Sequence, residues 1–269
     1  MASTRQGVET FLNQSPVAAL IEVAEAKGST PREKGAWMLV SPKATFGTIG
    51  GGQLEFMAIA RAREAMAFSS PLSLDIPLGP EIGQCCGGRV ELSIRHVDAA
   101  LRDELVATAA SEDAAYPHVY LFGGGHVGHA LASALSLLPL EVTLVETRAD
   151  ALEGMPETVI RKLTPVPEEA VRAAPAGSAF VVLTHDHALD FLIVGEALKR
   201  PDAAYVGMIG SKTKKATCKS WFLKNAGGTE EEFARLASPI GGSALRDKRP
   251  SVIAALAAAE IMTALAKPE

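Results

Sequence analysis

The chain has 269 residues, of which 48% are hydrophobic and 21% charged, and its formal net charge is −5. This balance belongs to a folded globular protein of one large domain or two ordinary ones, and an acidic chain with no Lys/Arg block is a poor nucleic-acid platform or basic membrane patch. Three cysteines cannot all pair, and two of them are adjacent, so a disulfide framework is disfavoured and a reducing, cytoplasmic setting is expected.

In chain order, the opening MASTRQGVET shows no apolar core of a signal peptide, and a short helix is expected over 4–14. A strand over 17–26 leads into Lys27-Gly28-Ser29-Thr30-Pro31-Arg32 and a second strand over 36–40. That loop reads as a simple turn or as a grip in which the Arg32 fork holds phosphate or carboxylate. The glycines of 47–52 precede a helix over 53–67, on which Leu54, Met57, Ala58 and Ala65 lie near one face. The helix start offers a possible anion seat, with Gln53 and Glu55 in the first turn. Strands over 72–77 and 89–97 bracket Gly83-Gln84-Cys85-Cys86-Gly87-Gly88. Backbone amides near these thiols favour thiolate, a soft donor suited to redox partners and sulfur transfer. The alternative is a buried pair of small apolar side chains. This order predicts an α+β domain whose three glycine loops converge.

A polar segment over 111–117, closed by a proline, marks a boundary between domains 1–112 and 113–269. Strands are expected beyond it over 118–122, 141–145, 158–163, 179–183 and 205–209. Helices are expected over 126–138, 168–174, 189–199, 212–225, 230–236 and 250–266. The apolar stretch 252–266 is too short to span a bilayer and holds Glu260. Apolar strands alternating with helices predict a doubly wound, Rossmann-like parallel sheet. Gly123, Gly125 and Gly128 spell G-x-G-x-x-G between the first strand and its helix, with Gly124 and His126 inside the motif. The turn suits any phosphorylated cofactor. Glu146, roughly 20 residues on, favours a ribose hydroxyl, although Arg148 beside it blunts that argument. His185, Asp186 and His187 follow another strand end: they face a ligand crevice, bind a metal, or include a helix cap at Asp186. Lys212 reaches the cleft or lies on a solvated helix face. Cys218 reads as packing.

Together these segments are more specific than any one of them. The chain resembles the XdhC/CoxI family, accessory proteins of molybdenum hydroxylases such as xanthine dehydrogenase. The resemblance runs through 25–32, 47–55, 83–88, 122–128, 184–190 and 205–211, nearly the whole chain in order. It implies an N-terminal XdhC/CoxI domain followed by a Rossmann domain, and a chaperone more than a catalyst. Molybdenum cofactor, a molybdopterin, would be the cargo, held during sulfuration and delivered to an apo-hydroxylase. A cysteine desulfurase and the hydroxylase apo-subunit would be partners, and the protein a homodimer. On this reading the Gly123–Gly128 turn takes the cofactor's phosphate, and Cys85 and Cys86 lie near molybdenum or relay sulfur. Gln84, Gly87, Arg32, Gln53, His126, Glu146, His185, Asp186 and His187 are the further cofactor-binding candidates. The alternative from the same turn is an NAD(P)-dependent oxidoreductase with His185 or His187 as acid. One departure stands out: the family tends to follow Ser-Pro-Ile-Gly-Leu with an acidic run, whereas this chain continues from Ser238-Pro239-Ile240-Gly241 into Gly242, Ser243 and a basic loop.

Overall fold

The computed structural model describes residues 5–66, 71–80, 87–243 and 247–266. The chain divides into two compact units, Ser3–Ala114 and Ala115–Glu269.

The first unit contains α1 (Arg5–Gln14), β1 (Ala19–Lys27), β2 (Trp37–Val40), β3 (Thr45–Gly47), α2 (Gly52–Ala65), β4 (Leu72–Pro77), β5 (Arg89–His96) and α3 (Ala99–Ala114). Its five strands form a sheet in the order β3-β2-β1-β5-β4, and every pairing is antiparallel. Alternation along the strands sends side chains to two cores. Ile21, Val23, Met38 and Val40 pack with Leu54, Ala58 and Ala62 of α2. Leu20 and Leu39 face the other way, against Val8 and Phe11 of α1 and Leu101 and Leu105 of α3. The sheet therefore lies between two helical layers.

α3 is absent from the expected elements. It buries only Leu101, Leu105 and Ala109, about one residue per turn, which is a faint periodic signal. Its start was nonetheless legible, because the Asp98 carboxylate accepts from the Leu101 amide at 2.8 Å. α3 also runs through Ser111–Asp113, so the division between units falls at its end.

The second unit contains β6 (His118–Phe122), α4 (His126–Leu135), β7 (Glu141–Glu146), β8 (Ile160–Leu163), α5 (Glu168–Ala173) and β9 (Ala179–Val182). It continues with α6 (His187–Leu198), β10 (Tyr205–Met208), α7 (Lys212–Asn225), α8 (Glu230–Ala234), β11 (Leu236–Ala237) and α9 (Pro250–Leu265). All pairings are parallel, in the order β11-β10-β9-β6-β7-β8. Numbered within the unit, this is the 3-2-1-4-5-6 order of a doubly wound sheet.

One face packs Val119, Leu121, Leu144 and Val181 against α4 and α9. The other packs Phe122, Val145, Phe180, Val182 and Met208 against α5, α6, α7 and α8. Burial on both faces is why these strands read as continuous apolar runs. β8 is the exception: it is an outer strand exposed along its length. The short strands β3 and β11 were not expected, since two or three residues carry no readable period. No helix among the described residues is long and apolar enough to cross a membrane.

Candidate functional site

In the second unit the chain reverses direction across the sheet between β6 and β9, and the turns after both strands lie at the carboxyl edge. This is where open parallel sheets hold ligands. Gly123 has φ +113°, and a Cβ there would stand 2.7 Å from the Leu183 carbonyl oxygen. Only glycine lets the two turns touch. A Cβ on Gly124 would meet the Ala151 oxygen at 2.1 Å, and one on Gly128 the Gly123 oxygen at 2.0 Å. These glycines serve the protein's own packing.

Gly125 differs. A Cβ there would meet nothing within 4 Å, and its backbone, at φ −75° and ψ −174°, suits any residue. The space in front of it is where a ligand can approach the backbone, beside the first-turn amides and positive dipole end of α4. His126, next to it, is exposed.

Glu146 ends β7 with its side chain 5% exposed. One carboxylate oxygen accepts from the Gly124 amide at 2.9 Å and from the Arg148 guanidinium at 3.2 Å. The other accepts from the Thr147 amide at 2.7 Å, the Thr147 hydroxyl at 3.2 Å and the Arg148 amide at 3.1 Å. Burial opposes ionisation, but the bonds from Gly124, Arg148 and Thr147 outweigh it and hold the pKa at about 2, against an ordinary 4.5. Five donors fill the roughly four lone-pair positions of a carboxylate. Glu146, expected as a ribose acceptor, thus braces the glycine turn.

After β9, Asp186 caps α6 by accepting from the Ala188 amide at 2.8 Å and the Leu189 amide at 3.4 Å. The cap starts the helix two residues before the expected position. His185 and His187 are exposed, and the His187 ring stacks on Phe191.

A polar pair that sequence reasoning missed lies beneath them. Asp190 is 0% exposed, and its partner in an ion pair, Lys214 of α7, is 9% exposed. Asp190 also accepts from the Thr184 hydroxyl at 2.7 Å and the Thr184 amide at 3.1 Å. Lys214 donates to the Ile209 carbonyl at 3.1 Å. The network ties the turn after β9 to the turn after β10. A sequence signal existed: Asp190 is a lone charge in the apolar run Leu189–Val194, and a buried charge requires a partner.

In the first unit the loop after β1 meets both the loop before α2 and the residue that precedes β5, while residues 83–86 of the third expected glycine loop lie outside the described residues. A Cβ on Gly50 would stand 2.7 Å from the Pro31 ring, and one on Gly88 would stand 2.2 Å from the Ser29 oxygen. Glu55 occupies the seat expected for an external anion. Its carboxylate accepts from the Thr48 hydroxyl at 2.6 Å, the Ile49 amide at 3.1 Å and the Gly51 amide at 3.0 Å. Gln53 is exposed at the head of α2. Arg32 is exposed and lines a cavity of about 660 Å³ with Lys34, Trp37, Phe46 and Thr48.

Gln84, Cys85 and Cys86 lie outside the described residues. Gly87 donates to the Leu78 carbonyl at 2.9 Å. Cys218 is buried in the α6–α7 core, and that burial pushes its thiol up to about 11, far from a reactive thiolate. Among the described residues no three His, Cys, Asp or Glu side chains are grouped to hold a metal ion.

A glycine turn after the first strand of a 3-2-1-4-5-6 sheet defines a Rossmann-type unit, here preceded by an α+β unit. Residues 119–261 match the XdhC Rossmann domain, and residues 12–74 match the XdhC and CoxI family. The chain belongs to the XdhC and CoxI family. It is 25% identical over 252 residues to the uncharacterized protein YqeB of Escherichia coli strain K12, covering 91% of this chain and 43% of that protein. It therefore spans less than half of that relative's length. The crystal structure of a xanthine dehydrogenase from Bacillus halodurans superposes with a TM-score of 0.81 at 17% identity, covering 98% of this chain and 96% of the other. At that identity the likeness is one of fold.

Proposed function

We propose that this chain is an accessory protein of a molybdenum hydroxylase of the xanthine dehydrogenase type. It takes molybdenum cofactor as cargo, shelters it during sulfuration and passes it to the apo-hydroxylase. Family membership supports the class of task. The observation that carries the cargo assignment is Gly125, a glycine that neither backbone geometry nor packing requires. The absence of a side chain leaves room for the terminal phosphate of the pterin, with the α4 amides as donors.

The engaged Glu146 carboxylate weighs against a dinucleotide, whose ribose needs an acceptor there. His126 and His185, exposed on the same edge, are free to contact the cargo. Cys85 and Cys86 are the soft donors suited to its sulfur-bearing metal, and a cysteine desulfurase would supply the sulfur. Action as a homodimer in the cytoplasm belongs to the same proposal.

The test is retention. The full chain is incubated with molybdenum cofactor released from a donor enzyme, and separately with NAD(H) and NADP(H), then passed through gel filtration. Pterin is read by fluorescence after oxidation. Wild type is expected to retain the pterin and not the nucleotides. Gly125→Val is expected to weaken retention by about tenfold or more, a loss of about 1.4 kcal/mol, with an unchanged circular dichroism spectrum. Retention of nicotinamide nucleotides alone would overturn the proposal.

A further inference from the structure

A cavity of about 670 Å³ opens at the carboxyl ends of β10 and β11, away from the glycine turn in sheet order. That volume falls within the range of small-molecule sites. Ile209 and Ile240, on the turns that follow the two strands, contribute apolar wall, as do Ile253 and Leu256, one turn apart on α9. Ile209, Ile253 and Leu256 are only partly buried, so a ligand seated there would remove wetted apolar surface from water.

The rim supplies charge. Lys212 and Lys248 both line the cavity and are exposed, and Lys212 opens α7, whose first-turn amides favour an anion. The carboxylate on the rim, Asp247, is already neutralised by the Arg249 guanidinium, whose bonds to it measure 2.5 and 2.9 Å.

Hydrogen bonds tie described wall segments to one another. Glu260 of α9 accepts from the Gly241 amide at 2.6 Å and the Tyr205 hydroxyl at 3.1 Å. Lys215 donates to the Leu236 carbonyl at 3.1 Å. A Cβ on Gly241 would stand 2.8 Å from Leu256. Ties of this kind lower the ordering cost of binding.

We propose that this cavity is a second small-molecule site, separate from the Gly125 turn, and that it takes an apolar acid: a hydrocarbon body carrying one carboxylate or phosphate. The body packs between Ile209, Ile240, Ile253 and Leu256, and the anion meets Lys212, Lys248 and the head of α7. The proposal stands apart from the cofactor reading.

The test titrates the full chain with 2-naphthoate and 2-naphthyl phosphate, followed by their fluorescence, and with cyclohexanecarboxylate by calorimetry. At least one of these probes is expected to bind saturably with Kd below about 1 mM. Ile253→Trp, which fills part of the cavity, is expected to abolish binding. Lys212→Glu is expected to weaken it about tenfold. Gly125→Val is expected to leave it unchanged, which separates this site from cofactor retention. Should Ile253→Trp fail to fold, the exposed pair Lys212→Glu and Lys248→Glu carries the test. Absence of saturable binding, binding undiminished in the folded variants, or loss of binding in Gly125→Val would overturn the proposal.

Discussion

Gly125, at the N-cap of α4, and Gly128, in its first turn, obey opposite constraints. Gly125→Ala is expected to change unfolding free energy by no more than about 0.5 kcal/mol, because its Cβ enters open space. Gly128→Ala drives a methyl group into the Gly123 carbonyl and is expected to cost about 1–3 kcal/mol or to prevent folding. Urea unfolding of the two variants checks the contrast. Glu146 makes a second prediction. Its carboxyl is held at about 2 against 4.5, so the stabilisation is present above 4.5 and is lost as pH falls toward 2. The amount is about 3 kcal/mol. Between about pH 5 and pH 2, wild type is expected to lose more stability than Glu146→Gln, as read from urea midpoints across that window. Spacing located both residues in the sequence. It did not separate a packing glycine from an open one: the atoms that crowd Gly123 and Gly124, on Leu183 and Ala151, are distant in the chain, and the Gly123 carbonyl is set against Gly128 only by the folded turn.

Between elements, the turns after β9 and β10 are joined by a buried ion pair. Lys214→Met would leave the Asp190 carboxylate buried without its counter-charge, and is expected to destabilise by about 3–5 kcal/mol. Adding Asp190→Leu in the same chain is expected to recover much of that loss, since an apolar pair needs no desolvation. Denaturant unfolding of the single and double variants checks this. The sequence bounds α7 where the structure has it and offers Lys212 for the cleft. The residue that reaches inward is Lys214, two positions on, and the choice between them depends on how α7 sits over β10. Asp186 shows the converse. A cap acts within a few residues, so the sequence carried the alternative that the structure bears out.

For the whole molecule, alternation of apolar strands and helices was enough to establish the doubly wound sheet, because burial on both faces writes itself into composition. The antiparallel sheet of the first unit was less legible. Its β3 is three residues long and α3 presents a narrow stripe. The approach of the loop after β1 to the loop before α2 follows from the order of elements, whereas the occupation of the latter by Glu55 was not legible, since a carboxylate in the first turn of a helix is equally at home facing solvent. The outer strand β8 has a consequence for life in a crowded solution. Its Ile160 and Leu163 are 47% and 56% exposed, and an open strand edge invites a neighbour's backbone to extend the ladder. Arg161 and Lys162 stand between them, so a second copy aligning there would bring cation against cation. Coulomb repulsion thus guards the molecule against fibre-like stacking, and mobile ions that shorten its range weaken the guard.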